Sequence, residues 1–283
     1  MGQTLAHMGL TDPRLTPSGK LDIRLSHLLS AYAKADPPPQ RVKPIPTSLL
    51  RHTCNLQRQS DHPLGHAIAD MLTLGFFYLL RPGEYANTSN FESSPFRLQD
   101  VLLLVGCRRI NHLGCPLHEL YSATFACLEF TSQKNGVRGE LIGLGKSGNA
   151  GFCPVTALIN RVIHLRHHRA PPTTPLYSYK AHRWDTVSST ILTTALRQST
   201  AVLGHTLGIT PGDISVRSLR SSGAMALLCG HVDTDRIRLL GRWRSDEMLR
   251  YLHVQAFPVV ASLAPTMLQH GDYALIPNNL HPP

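Results

Sequence analysis

A proline-rich segment is the feature that most constrains what this chain can fold into. Residues 34–47 read KADPPPQRVKPIPT. Proline lacks a backbone N–H and clashes with the preceding turn of a helix, so this segment cannot be helical throughout. The sequence therefore predicts a linker over 34–47. It separates a short N-terminal part, residues 1–33, from a main body that we expect to span 48–258, followed by a tail over 259–283.

The N-terminal part contains one amphipathic segment. Residues 21–32 read LDIRLSHLLSAY, with leucines at helical spacing, which predicts a helix. One helix alone cannot bury its apolar face. We expect it to be either the remnant of a helical N-terminal domain or a helix docked on the main body. The first residues show no charged stretch followed by an apolar one, so no secretory signal is expected.

The main body shows mixed patterns. Helical spacing of apolar residues predicts five main helices, at 48–57, 61–80, 154–169, 188–207 and 218–229. Runs of apolar and β-branched residues predict three strands, at 101–105, 123–132 and 141–144. Asn135-Gly136 is a strong hairpin signal between the last two strands. The fold class predicted is mixed α+β, mostly helical, with a small antiparallel sheet.

Two shorter helices are expected near the C-terminal end of the body. Asp233 is a predicted N-cap for a helix that stops at Gly241, and Gly230 is the predicted C-cap of the helix before it. Ser245 is expected to begin a last helix, which Pro258 ends. The four residues Leu-Gly-Arg-Trp at 240–243 are expected to form a tight turn between these two helices.

Charge favours a polyanionic partner. The 283 residues carry a formal net charge of +10, with a pI of about 9.6, and hydrophobic residues make up 42%, enough for a core. Nucleic acid is the first candidate partner and an acidic membrane surface the second, while the alternative is a protein that is simply basic.

No apolar run approaches the roughly 18 residues that a membrane helix needs, so no membrane is expected. The six cysteines show no close pairing and are expected to be reduced.

Two motifs suggest other chemistry but fit it poorly. Residues 143–148 (GLGKSG) match a dinucleotide-binding pattern, yet no helix opens at once and Glu140 stands where a phosphate-binding loop needs glycine. His112, Cys115 and His118 have an irregular spacing for zinc, without an obvious fourth ligand. No cofactor or metal is expected, and a β-turn and a loop between strands are the preferred interpretations.

Candidate site residues are spread over most of the chain. Arg217 and Arg220 lie three apart, and paired arginines form a fork for phosphate. Tyr251 follows Arg242 by nine positions, and a tyrosine can act as a nucleophile. Arg81 follows an apolar helix, where the helix macrodipole alone would also favour a surface arginine. Lys134 lies at the predicted hairpin tip, either over a ligand or simply solvated.

Taken together, these residues resemble the tyrosine recombinase (phage integrase) family, most closely its eukaryotic retrotransposon-type members. The resemblance covers roughly 48–256. Its first box is Arg81-Pro-Gly-Glu84, and its second box is Arg217-Ser-Leu-Arg220, then the Leu-Gly-Arg-Trp turn with Arg242 and Trp243, then Tyr251. The family's lysine on a hairpin between the boxes matches Lys134, with Lys146 as a second candidate.

The resemblance implies a recombinase catalytic domain preceded by a truncated helical core-binding segment. It implies site-specific cleavage and rejoining of double-stranded DNA through a 3′-phosphotyrosyl link at Tyr251. Arg81 and Arg220 would hold the phosphate oxygens, Lys134 would protonate the leaving oxygen, and no metal would be needed. It also implies a homotetramer on DNA and a monomer without it, in the nucleus if the source is eukaryotic and otherwise in the cytoplasm.

Two departures from the family pattern leave alternatives open. Arg217 stands where the family usually has His or Lys, and Arg242 stands where it has His or Trp. Either Trp243 takes that role through a shifted turn, or Arg242 donates the hydrogen bond. Arginine can contact a phosphate oxygen but is a poor proton acceptor, so a step that needs a general base at Arg217 would be impaired. These departures favour a catalytically impaired DNA-binding remnant of a mobile element as one alternative. A type IB topoisomerase-like activity, which would use a closely related site, is the other.

Overall fold

The computed structural model describes residues 8–9, 12–35, 42–88, 94–131, 139–243 and 265. The chain divides into two compact units, Met1–Arg41 and Val42–Pro283. The division falls inside the proline-rich segment 34–47. Lys134, Tyr251, the helix expected from Ser245 and nearly all of the tail lie outside the described residues.

The first unit contains one helix, α1 (Ile23–Ala35), among its described residues. It begins two residues later than predicted and runs two residues into the segment expected to be a linker, because the first proline comes only at position 37. An isolated bridge pairs Leu15 with Leu21 before it. Several large apolar side chains of α1 stay exposed: Ile23, Leu28, Leu29 and Tyr32.

The described part of the second unit contains eight α-helices, seven of them arranged around the central one, α3. They are α2 (Thr47–Arg58), α3 (Pro63–Phe77), α4 (Pro82–Tyr85), α5 (Leu117–Tyr121), α6 (Pro154–His167), α7 (Ser189–Leu207), α8 (Ser218–Cys229) and α9 (Thr234–Gly241). Helix α3 is apolar around almost its whole circumference, as expected of a buried helix. It packs against α2, α6, α7 and α8. Within the described residues, no helix is both long and apolar enough to cross a bilayer.

An antiparallel sheet packs beside the helices. Its strands β1 (Val101–Val105), β2 (Arg108–Ile110), β3 (Phe125–Phe130) and β4 (Glu140–Gly145) have the spatial order β2-β1-β3-β4. Phe130 pairs with Glu140, so β3 and β4 form the antiparallel pair predicted from Asn135-Gly136. The phenol of Tyr78 donates to the carbonyl of Ala126 (2.8 Å) and ties the end of α3 to β3.

A second, two-stranded hairpin was not predicted. Strands β5 (Ser178–Lys180) and β6 (Trp184–Thr186) pair through Tyr179 and Asp185. Like β2, each has only three residues, too few to show the alternation that identifies a strand. The mixed α and β class with a small antiparallel sheet is confirmed, and helices make up about half of the described residues.

The predicted end of the central helix is wrong. The helix was expected to run to Leu80 and to stop at Pro82 and Gly83, but α3 ends at Phe77. Leu79 takes a left-handed conformation (φ 51°) and redirects the chain. Pro82 and Gly83 instead begin α4, where proline is favoured in the first turn, and Arg81 is its N-cap.

The caps predicted for the last two helices are confirmed. The side chain of Asp233 accepts hydrogen bonds from the backbone N–H groups of Asp235 and Arg236, and α9 stops at Gly241. Helix α8 ends at Cys229, with Gly230 as its C-cap.

The crossing of α3 and α8 depends on a glycine. A Cβ added to Gly223 would lie 2.3 Å from both Leu79 Cδ2 and the Phe76 carbonyl oxygen. We expect Gly223→Ala to lower the free energy of unfolding by about 1–3 kcal/mol through overpacking. Gly230→Ala is the matched control, because its added methyl group meets nothing closer than 3.4 Å. Urea denaturation measures both, and equal stabilities of the two variants would contradict the close crossing.

Acid should weaken the contact between α6 and β5. Nε2 of His164 accepts the backbone N–H of Lys180 (3.0 Å). Burial, followed by the charges of Arg161 and nearby histidines, lowers the pKa of His164 from 6.5 to about 4. The folded state therefore disfavours protonation of His164. The stabilisation that the neutral ring gives to the fold is complete above pH 6.5 and is lost as the pH falls toward 4.

The same contact gives a measurable pH slope. Glutamine at position 164 keeps a hydrogen-bond acceptor but does not titrate. We expect the free energy of unfolding to fall less between pH 7 and pH 5 in His164→Gln than in the wild type. Urea denaturation at the two pH values tests this, and identical slopes would contradict it.

Candidate active site

The buried carboxylate of Glu84 is the centre of the candidate site. Its Oε2 accepts the backbone N–H of Arg81 (2.8 Å) and a guanidinium N–H of Arg242 (2.9 Å). Its Oε1 accepts a guanidinium N–H of Arg81 (3.2 Å). One carboxylate therefore holds two arginines that lie about 160 positions apart in the sequence.

Arg242 is the more buried of these two arginines. Its side chain is 1% exposed, against 26% for Arg81. Its guanidinium carbon lies 3.9 Å from the ring centroid of Phe130, a cation–π distance. Burial lowers the pKa of Arg242; Glu84 opposes the shift, while the Arg81 charge adds to it. Nε and one terminal nitrogen of Arg242 are buried without a hydrogen-bond partner among the described residues.

The predicted tight turn at 240–243 is confirmed, and its geometry explains the position of Arg242. The N–H groups of Arg242 and Trp243 donate to the carbonyls of Leu239 (3.0 Å) and Arg238 (3.1 Å), the pattern of a Schellman motif. Arg242 takes its left-handed position (φ 57°, ψ 39°), which glycine normally occupies. This conformation costs a residue with a side chain about 1–2 kcal/mol. In it, the guanidinium of Arg242 reaches the carboxylate of Glu84.

Arg220 connects the turn to the end of α3. It lies in the first turn of α8, is 7% exposed, and donates to the carbonyls of Leu79 (3.0 Å) and Gly241. Its guanidinium carbon lies 4.4 Å from the ring centroid of Trp243. A Cβ on Gly241 would lie 1.6 Å from the Trp243 ring, so only glycine permits this packing.

The structure thus brings four of the seven predicted site residues together: Arg81, Arg220, Arg242 and Trp243. Arg217 lies at the N-cap of α8 with its side chain exposed. Lys134 and Tyr251 lie outside the described residues. Lys146, the alternative lysine, is exposed just after β4. The cationic centre therefore has a defined geometry, whereas the positions of the nucleophile and the predicted general acid remain predictions.

Sequence reasoning did not find the role of Glu84 or that of Phe130. In the sequence, Glu84 was assigned no function beyond being the last residue of the box Arg81-Pro-Gly-Glu84. The spacing of Arg81 and Glu84 is that of a capping box, in which the third helical residue bonds back to the N-cap, and this signal could have predicted their contact. No sequence signal points from Phe130 to Arg242.

The two poorly fitting motifs have structural explanations. The ring of Phe125 packs over Gly143, where a Cβ would lie 2.3 Å from a ring carbon, and residues 143–145 complete β4. Nε2 of His112 lies 3.0 Å from the carbonyl oxygen of Leu98, and the side chain is buried. The described part of the chain contains no group of three or more His, Cys, Asp or Glu residues arranged to hold a metal ion.

Comparison with known proteins gives no family assignment. No protein-family model matches the sequence, and no curated protein matches it either.

The buried ion pair at Glu84 can be tested by stability. Glu84→Gln keeps the shape but leaves a buried arginine without its counter-charge, and we expect a loss of about 3–5 kcal/mol. Glu119→Gln removes the exposed ion pair with Arg108 (2.8 Å) and should cost about 1 kcal/mol or less. Chemical denaturation of both variants tests this, and a loss at Glu84 no larger than that at Glu119 would contradict the buried pair.

Proposed function

We propose that this protein cleaves and rejoins double-stranded DNA through a covalent link to Tyr251. One observation carries the proposal: guanidinium groups from three distant segments converge beside Glu84 and the turn at Leu79. Arg81 and Arg242 share the carboxylate, and Arg220 bonds to the carbonyl two residues before Arg81. A single structural ion pair needs only one arginine. A phosphodiester transition state carries charge on two non-bridging oxygens, which several arginines can stabilise.

The proposed reaction is a transesterification. The phenol of Tyr251 gives its proton to water, its oxygen attacks the phosphorus to form a new P–O bond, and the bond to the 5′-oxygen breaks. Lys134, or alternatively Lys146, gives a proton to that leaving oxygen. Arg81 and Arg220 stabilise the charge on the non-bridging oxygens. Attack of a free 5′-hydroxyl on the phosphotyrosine reverses these steps, so the bond energy is retained for rejoining.

The positions of the remaining arginines assign them different parts in this proposal. Arg217 is exposed at the N-terminal end of α8, where it would contact the DNA backbone. Arg242 is buried against Phe130 and Glu84, so its part is to position Glu84 and Arg81. Trp243 stacks on Arg220 and orients that guanidinium. A net charge of +10 suits a DNA partner. The proposed assembly is a homotetramer on DNA, in the nucleus if the source is eukaryotic and otherwise in the cytoplasm.

A second candidate function is DNA binding without cleavage. The burial of Arg242 favours it, because a guanidinium that is 1% exposed, enclosed by Phe130 and paired with Glu84, has little access to a DNA phosphate. A remnant of this kind would bind DNA in a salt-dependent way.

A trapping assay on nicked DNA distinguishes the two candidates. We expect the wild type to form an adduct that survives SDS, and Tyr251→Phe to form none. Tyr273→Phe, a second tyrosine change in the C-terminal region, should retain the adduct. Arg81→Gln should slow adduct formation by about 10²–10³-fold, because one transition-state donor is lost.

The outcomes of the trapping assay are distinct. If Tyr251→Phe still traps DNA covalently, the nucleophile is another residue. If the wild type binds DNA with a clear salt dependence but forms no adduct, the second candidate is correct.

A further inference from the structure

The hairpin β5–β6 and the C-terminal end of α6 form an exposed basic and aromatic surface, here called the hairpin platform. Its exposed members are Arg183 and Trp184 from the hairpin and His167 and Arg169 from the end of α6, and Lys180 and His168 between them are half-buried. Lys180, Arg183 and Arg169 with the neighbouring Asp185 give it a formal charge of +2 (3 − 1). The acidic residue, Asp185, already accepts from the Tyr179 phenol (3.3 Å) and the Thr186 N–H (2.7 Å).

Trp184 is the aromatic centre of the platform. The residue is 40% exposed, although indole rings usually lie mostly buried. Lys180 Nζ lies 5.8 Å from the ring centroid, and the imidazole of His168 meets the ring edge-on at 6.0 Å with an interplanar angle of 83°. An exposed indole among cations can stack on a base while the cations contact the adjoining phosphates.

The platform uses none of the side chains that meet at the Glu84 site. The His62 ring, at the N-cap of α3, lies 6.2 Å from the ring of Tyr179 in β5. The Glu84 segment follows the opposite, C-terminal end of α3. The two regions are joined through the backbone after Glu84, since the side-chain amide of Asn87 donates to Thr186 Oγ1 in β6 (3.0 Å) and its N–H donates to the carbonyl of Val187 (2.9 Å).

We propose that the hairpin platform binds unpaired nucleotides of a nucleic acid strand, with a base stacked on Trp184 and phosphates held by Lys180, Arg183 and Arg169. A duplex hides the faces of its bases, so it would use the cations but not the indole. An acidic peptide would likewise use the charges without the exposed ring. The combination of a ring and flanking cations therefore favours an unpaired strand, whether DNA or RNA.

The test uses the full chain and fluorescently labelled dT and U oligonucleotides, with a DNA duplex as comparison. We expect Trp184→Ala to weaken binding of the single strands about tenfold and Trp184→Phe to recover part of it. The double change Lys180→Gln and Arg183→Gln should also weaken binding and lower its salt dependence. Val202→Ala and Arg51→Gln, at an exposed apolar and an exposed cationic position, are the matched controls and should bind like the wild type.

Each outcome decides the proposal. Loss of single-strand binding in Trp184→Ala, with duplex binding unchanged, supports it, and the dT and U arms show which nucleic acid is preferred. Unchanged single-strand affinity in Trp184→Ala overturns it, as does an equal loss for duplex. The result is independent of the trapping assay, since Trp184→Ala should still form any adduct at Tyr251, and failure of the wild type to form one leaves strand binding unaffected.

Discussion

The ion pair between Glu84 and Arg242 is the interaction on which the described site depends. Two arginines held near one another repel, and the Arg81 charge indeed disfavours protonation of Arg242. The negative charge of the buried Glu84 carboxylate opposes this effect of Arg81. Removing either partner of the buried pair would leave an uncompensated charge. The same ion pair holds the turn at 240–243 in place, and with it the carbonyl of Gly241 and the ring of Trp243 that contact Arg220. A single carboxylate thus organises three cations.

The long helices could be predicted from the sequence because their apolar periodicity extends over several turns. Helix α8 matches its predicted bounds, and α7 differs from its prediction by one residue at its start. The end of α3 could not be predicted in this way. Tyr78, Leu79 and Leu80 are all buried and so continue the apolar pattern, while the chain has already turned at Leu79. Short strands such as β5 and β6 carry too few residues for a pattern, and their pairing comes from the packing of the hairpin against α3 and α6.

The candidate site was partly predictable for a different reason. The ordered set of Arg81, Arg220 and Arg242 suggested that distant arginines meet, and the structure brings them together around the end of α3. Which groups they contact could not be read from the sequence, because the partner of Arg242 lies 158 positions away and its aromatic neighbour lies on a strand. The exposed position of Trp184 could not be predicted either, because it depends on a short hairpin that the local sequence does not specify.

A crystal structure of the Tyr251→Phe variant bound to a DNA duplex is the most direct test of the central claim, that the arginines around Glu84 form a phosphate site. We expect a backbone phosphate with non-bridging oxygens about 3 Å from guanidinium nitrogens of both Arg81 and Arg220. The phenyl ring at position 251 should lie beside that phosphate. DNA bound elsewhere, with no phosphate in contact with Arg81 or Arg220, would contradict the account and leave the arginines as a purely structural cluster.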